Sequence, residues 1–273
     1  MYKLTKDQPI GVFDSGIGGL TVVRSLKELL PSEDIIYLGD TARLPYGTKS
    51  AETIRRFARE DTEFLVERQV KMVVVACHSA TSAALPFLKK DFDIPVIGVI
   101  DPGARTATKA TRNSRIGVIG TTATISAGEY ERAILRANPE VRVIAKSTPL
   151  LVPLVEEGWV DKEVTYRVIE EYLLTLKEDG IDTLLLGCTH YPLLKPLLER
   201  FFNGKVTLVD SGDETARAAS EILSKMGLAR EESHKGFQRF YLTDLSPNFR
   251  VIGERCLGKQ LEDVTRVSLG NET

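Results

Sequence analysis

Two apolar runs end in the same way, and that ending constrains the chain more than any other feature. Val73-Val74-Val75-Ala76 stops at Cys77-His78-Ser79, and Leu184-Leu185-Leu186-Gly187 stops at Cys188-Thr189-His190-Tyr191-Pro192. A short, nearly continuous apolar run bounded by breakers is the pattern of a strand buried on both faces, as in a parallel sheet. In open α/β sheets the ligand crevice lies just beyond the carboxyl ends of such strands. Each thiol therefore stands where chemistry is usually done. The doubling predicts that the two thiols face one substrate from opposite sides.

The remainder of the chain alternates strand and helix signals. Ile10 to Phe13 reads as a strand that enters Asp14-Ser15-Gly16-Ile17-Gly18-Gly19, and Leu20, Val23, Leu26 and Leu30 then recur at helical spacing. Asp34 to Gly39 is a second strand, and Asp40 to Gly47 a loop by its Pro and Gly. Ser50 to Arg68 reads as an amphipathic helix capped by Ser50. Strands are expected at Lys71 to Ala76 and Ile94 to Ile100, with a helix from Thr81 to Lys90 between them. The second half restarts the order: a strand at Arg115 to Gly120, a helix at Ser126 to Ala137, a strand at Val141 to Ala145, a helix at Val160 to Asp179, a strand at Thr183 to Leu186, a helix at Leu193 to Phe202 and a strand at Val206 to Val209. Ile10-Gly-Val-Phe-Asp pairs with Ile116-Gly-Val-Ile-Gly, the two Cys-ended strands pair, and both halves are expected to close on a Gly turn, at Asp101 to Ala107 and Asp210 to Ala216. This is the signature of a distant internal repeat. The tail, with a helix from Glu214 to Met226, a strand from Phe237 to Leu242, a helix near Pro247 to Cys256 and a last strand at Val264 to Leu269, is too short to stand alone and should pack on one of the halves.

At 273 residues the length suits roughly two domains of about 150 residues each. A net charge of −2 at pH 7 gives no electrostatic footprint for nucleic acid, and no cluster of like charge suggests a membrane surface. The start of the chain lacks the apolar core of a signal peptide, and no apolar run reaches the roughly 20 residues of a membrane span. The expectation is a soluble cytoplasmic protein. Three cysteines are too few, and too odd in number, for a secreted disulfide framework. Cys256 has no polar neighbour in sequence and reads as a packing thiol.

Two of the three histidines stand beside two of the three cysteines. A neighbouring imidazole, or a cluster of strand-end amides, draws a thiol toward its reactive thiolate form. Three chemistries fit the doubled pair. A cofactor-free inversion needs an acid and a base on opposite faces of a stereocentre, which two pseudosymmetric halves supply. A Cys2His2 metal site would use Cys77, His78, Cys188 and His190, although ligands adjacent in sequence suit one ion poorly. A redox pair would need the sulfurs in contact, leaving no room for substrate. The glycine-rich turn can hold an anion at a helix N-terminus, but it matches neither a dinucleotide nor a Walker fingerprint. Asp14 would repel phosphate; it suits a substrate amino group or the support of a nearby thiol. Tyr46 and Gly47 can add donors for a substrate carboxylate.

Taken together, these stretches resemble the glutamate racemases of the cofactor-independent aspartate/glutamate racemase superfamily, over nearly the whole chain. The carriers are GVFDSGIGGLTV (Gly11 to Val22), YLGDTARLPYG (Tyr37 to Gly47), VVVAC (Val73 to Cys77), GVIDPGARTA (Gly98 to Ala107), GVIGTTATI (Gly117 to Ile125), LLLGCTHYPLL (Leu184 to Leu194) and FYLTDLSPNFR (Phe240 to Arg250). The resemblance implies an α/β fold of two pseudosymmetric three-layer domains, with mainly parallel sheets facing across a cleft. The first domain would take residues 1–100 and 210–273 and carry Cys77; the second would take residues 101–209 and carry Cys188. It implies interconversion of L- and D-glutamate, the D-isomer feeding peptidoglycan synthesis. No metal, pyridoxal phosphate or flavin is expected. A homodimer is allowed, since nothing in the sequence sets the oligomeric state.

Carried over motif by motif, Cys188 takes the α-proton from L-glutamate and Cys77 takes it from D-glutamate. Asp14 assists Cys77, while His190 and Glu156 assist Cys188. Substrate contacts are expected at Asp14, Ser15, Tyr46, Gly47, Thr189 and His190. The family usually reads Cys-Asn-Thr after the first strand, where this chain has Cys77-His78-Ser79. Ser79 can replace the Thr hydroxyl, and the His78 imidazole can replace the amide donor to substrate.

Overall fold

The computed structural model describes residues 3–245 and 249–270. Met1, Tyr2 and Pro247, which enter the sequence expectations above, and residues 271–273 of the expected first domain lie outside them. In chain order the first half runs β1 (Ile10–Asp14), α1 (Leu20–Leu29), β2 (Ile35–Gly39), α2 (Ala51–Glu67), β3 (Met72–Val75), α3 (His78–Asp91), β4 (Val96–Gly98) and α4 (Ile100–Ala110). The second runs β5 (Arg115–Gly120), α5 (Thr122–Ala127), α6 (Glu129–Ala137), β6 (Arg142–Ser147), α7 (Leu151–Glu156), α8 (Glu163–Glu178), β7 (Thr183–Gly187), α9 (Lys195–Phe202), β8 (Thr207–Val209) and α10 (Gly212–Lys225). The tail adds β9 (Gln238–Leu242), α11 (Phe249–Leu257) and β10 (Val264–Arg266).

Every strand pairing described is parallel. One sheet has the order β10-β9-β2-β1-β3-β4 and the other β6-β5-β7-β8. Without the tail strands the first reads 2-1-3-4, and the second repeats that order one strand for one. In such sheets the chain leaves the middle strand in opposite directions, and the crevice at that switch point receives ligand. The switch points lie between β1 and β3 and between β5 and β7. Cys77 and Cys188 follow β3 and β7.

Burial explains why these strands are almost wholly apolar. β1, β2, β3 and β7 are buried at every position, because helices cover both faces of each sheet. Val12, Tyr37 and Val74 pack with α1, α10 and α11 on one face of the larger sheet, while Phe13, Leu38 and Val75 pack with α2 and α3 on the other. In the smaller sheet Leu184 and Leu186 meet α8 and α9, and Val118 and Leu185 meet α4 and α6. Cys256 is 1% exposed within the first of these cores. At α2 the Ser50 side chain accepts a hydrogen bond of 3.2 Å from the Thr53 N–H. Ser50→Ala is expected to cost about 1 kcal/mol, read as a lower denaturant midpoint at constant slope.

Several boundaries differ from the sequence expectation. The helix after β3 begins at His78 rather than Thr81, since Cys77 itself is the N-cap. The expected helix from Ser126 is two helices, α5 and α6, broken at Gly128. The expected Gly turns at Asp101 and Asp210 are helix starts: Asp101, Pro102 and Gly103 form the first turn of α4, and α10 opens at Gly212. Proline is tolerated there because a first-turn N–H has no intrahelical acceptor. α7 had no counterpart in the expectation. It is short and carries Pro153 within it, so it shows little helical period. Among the described residues no helix is long and apolar enough to cross a membrane.

Candidate active site

Between the switch points lies a narrow cavity lined by both thiols. Cys77 and Cys188 are 4% and 7% exposed, so both thiols are almost wholly enclosed. Ser15, Tyr46, Gly47, His78, Ser79, Thr189 and His190 line it too, and Asp14 and Glu156 stand behind that wall. The open volume is about 20 Å³, room for about one water. An amino acid enters only when the two halves move apart.

On the first side, the Cys77 thiol donates toward Ser15 Oγ at 3.5 Å and accepts from the Ala80 N–H at 3.5 Å. Burial, with the negative charge of Asp14 added, pushes this thiol up to about 12, against the hydrogen bonds with Ser15 and Ala80. Cys77 therefore holds its proton at neutral pH. Asp14 does not reach the cavity. Its Oδ2 accepts from the Gly16 and Gly19 N–H groups, each at 3.1 Å, and Oδ1 accepts from Thr189 Oγ1 at 3.3 Å. Burial pushes the carboxyl up, opposed by the charge of His190, the two amides and Thr189. The glycine-rich turn thus wraps its own carboxylate rather than an external anion.

On the second side stands a relay. Cys188 Sγ lies 3.7 Å from His190 Nδ1, and His190 Nε2 lies 3.1 Å from Glu156 Oε1. Burial alone would lower the imidazole, but hydrogen bonds to Cys188 and Glu156 and their negative charge carry it well above the usual histidine range. The imidazole therefore sits between Cys188 and a carboxylate, in surroundings that favour its charged form. Glu156 is the last residue of α7, which brings its carboxylate to that point.

Two of the expected substrate-contact side chains are engaged by neighbours within the protein. The Tyr46 hydroxyl is one of them. It is hydrogen-bonded to Asp40 Oδ2 and lies 2.8 Å from Asp61 Oδ2, so the ring anchors its own loop. The His78 ring borders the cavity, yet both nitrogens face hydroxyls, Tyr130 at 2.6 Å from Nδ1 and Ser211 at 3.4 Å from Nε2. The residues weighed for a Cys2His2 site do not converge: among the described residues, no three or more His, Cys, Asp or Glu side chains are grouped so as to hold a metal ion.

Sequence reasoning missed Thr121, whose side chain lines the cavity and lies 2.9 Å from Ser79 Oγ. The repeat contained the signal: aligning Asp14 with Gly120 places Thr121 opposite Ser15. Tyr130 and Ser211, far away in sequence, carried none.

Burial drives the His78 imidazole down to about 3, with Asp210 opposing. An unfolded histidine takes its proton near ~6.5. Between those values the unfolded chain binds the extra proton, so stability falls as pH drops through this window. His78→Asn is expected to lose less stability than the wild type from about pH 6.5 downward, read as urea midpoints against pH.

Two pseudosymmetric parallel α/β units with a thiol at each switch point, opening on one cavity, define a class of enzyme suited to acid–base work from two faces. The comparisons with known proteins give the family. The family model described as Asp/Glu/Hydantoin racemase matches residues 10–219, and the chain belongs to that family. It is 51% identical over 263 residues to a glutamate racemase of Geobacter metallireducens, covering 96% of this chain and 97% of that one. It is 50% identical over 271 residues to a glutamate racemase of Neisseria meningitidis, covering 99% and 100%. Among solved structures, a Bacillus anthracis glutamate racemase, isoform RacE1, superposes with a TM-score of 0.91 at 41% identity, covering 96% and 98%. A Francisella tularensis glutamate racemase in complex with D-glutamate superposes with a TM-score of 0.90 at 38% identity, with the same coverage.

Proposed function

We propose that this chain interconverts L- and D-glutamate by moving the α-proton between two thiols. The observation that carries the reading is the placement of Cys77 and Cys188 after the equivalent central strands of two repeated sheets, lining one cavity. The family and its glutamate racemase relatives support the substrate. The units that fit this reading are residues 1–100 with 210–273, and residues 101–209. It is supported by α4 packing in the second core and α10 in the first.

In the protonation state described, Cys77 carries a proton to deliver, and Cys188 has an imidazolium–carboxylate pair beside it. That is the arrangement for starting from L-glutamate: Cys188 removes the α-proton on one face while Cys77 supplies one on the other. The reverse run from D-glutamate exchanges the roles. The α-proton is far less acidic than a thiol, so charge developing on the substrate carboxylate needs fixed donors. Ser15, Ser79, Thr121 and Thr189 surround the cavity, and α3 and α5 direct their N-termini toward it, in a site closed to bulk water. Both enantiomers have equal free energy in water, so kcat/KM must be equal in the two directions for any variant.

Within this proposal the enzyme needs no cofactor, works in the cytoplasm and supplies D-glutamate for peptidoglycan synthesis. Circular dichroism of L-glutamate incubated with the protein tests the activity, with L-aspartate in parallel. Decay of the glutamate signal to zero is expected; decay with aspartate alone would move the substrate, and decay with neither would overturn the reading. Glu156→Gln is expected to lower kcat by about tenfold to a hundredfold through loss of the charge that keeps His190 protonated, and to shift the pH profile of kcat.

A further inference from the structure

Cys77 caps α3, and each of the two residues after it carries a hydrogen bond to the unit of residues 101–209. His78 Nδ1 reaches the Tyr130 hydroxyl on α6, while Nε2 reaches Ser211, just before α10, in its own unit. Ser79 Oγ lies 2.9 Å from Thr121 Oγ1 and 3.3 Å from Thr124 Oγ1. All six side chains are buried. A neutral imidazole has one donor and one acceptor nitrogen, and two hydroxyls satisfy both. Cutting one partner of such a buried set leaves the other unsatisfied. The turn that presents the Cys77 sulfur is thus tied to the opposite half at consecutive residues. Because the closed cavity has no room for an amino acid, those ties must release for substrate to enter and re-form around it.

We propose that His78 is a positioning residue which, through Tyr130, latches the first turn of α3 to the second half, so that Cys77 is aligned for proton transfer when the cleft closes. The latch rests on the two-thiol glutamate reading and extends it. It assigns the departure at position 78 to closure of the cleft rather than to substrate contact.

The test is a double-mutant cycle at 78 and 130, read as kcat, KM and substrate deuterium isotope effects in both directions. Tyr130→Phe removes one hydroxyl and is expected to lower kcat about tenfold, with the melting temperature lowered by only a few degrees. His78→Leu should do the same, and His78→Leu/Tyr130→Phe should be no slower than His78→Leu alone. His78→Asn, whose carbonyl oxygen can stand where Nδ1 stands, should recover most of the rate. Misalignment of Cys77 makes its own proton transfer more limiting. The isotope effect from α-deuterated D-glutamate should therefore rise while that from L-glutamate falls. Losses that multiply in the double variant, failure of Asn to restore the rate, or isotope effects that move alike in both directions would overturn the latch while leaving wild-type racemisation intact. A wild-type protein that fails to racemise glutamate would instead remove the reading beneath it.

Discussion

Cys77→Ala and Cys188→Ala are each expected to lower glutamate racemisation by about 10²–10⁴-fold, the scale of a lost general acid or base. Neither thiol can cover for the other. Cys77 is held among Ser15, the Ala80 amide and the charge of Asp14, and Cys188 beside the His190–Glu156 pair. They come from different sheets, and inversion requires a donor and an acceptor on opposite faces of one carbon. Each variant should keep α-proton exchange on one face alone: L-glutamate exchanges in Cys77→Ala through Cys188, and D-glutamate in Cys188→Ala through Cys77. Proton NMR in D₂O separates exchange from inversion. Full racemisation by either variant would sink the two-thiol account.

Gly18→Ala should be nearly as damaging, although position 18 carries no chemistry. A Cβ built there would lie 2.5 Å from Thr189 Oγ1 and 2.7 Å from His190 Nδ1. Neither side chain can easily give way, because Thr189 is bonded to Asp14 and His190 is held between Cys188 and Glu156. The added methyl would wedge the turn away from the second thiol. Displacing a catalytic group by about 1 Å can cost 10²-fold, so kcat/KM should fall about a hundredfold. The stability cost of overpacking should stay within about 1–3 kcal/mol. A folded Gly18→Ala protein with wild-type kcat/KM would show that close approach of this turn to Thr189 and His190 is not needed.

That role for glycine is a case of what sequence could and could not convey. The run Gly16-Ile17-Gly18-Gly19 was visible, and so was its position at a strand end. What it makes room for was not, because Thr189 and His190 lie far away in the chain. The strands that carry the thiols were legible because burial on both faces writes itself as an unbroken apolar run. The repeat was legible too, since each half independently solves the same packing problem. Helix starts were less so: cysteine is an unusual N-cap, and Pro102 in a first turn looks like a break. Tyr46 shows the same limit at the site. Its loop was placed correctly beside the thiols, but the Asp40 and Asp61 carboxylates that hold its hydroxyl are set by tertiary packing. His78 and Tyr130 meet only through tertiary packing, which no local pattern encodes.

The central claim is that two thiols, one from each half, act on one α-carbon from opposite faces. The most direct test starts from unlabelled L-glutamate in D₂O with the wild-type protein and follows deuterium at the α-carbon of each enantiomer at early conversion. At early conversion a thiol that has just taken a proton returns it before the buried S–H exchanges with solvent, whereas the opposite thiol, equilibrated with D₂O beforehand, delivers deuterium. The account predicts that D-glutamate appears carrying α-deuterium while the remaining L-glutamate stays unlabelled. Deuterium accumulating in unreacted L-glutamate as fast as in the product would show a single base serving both faces, and would contradict it.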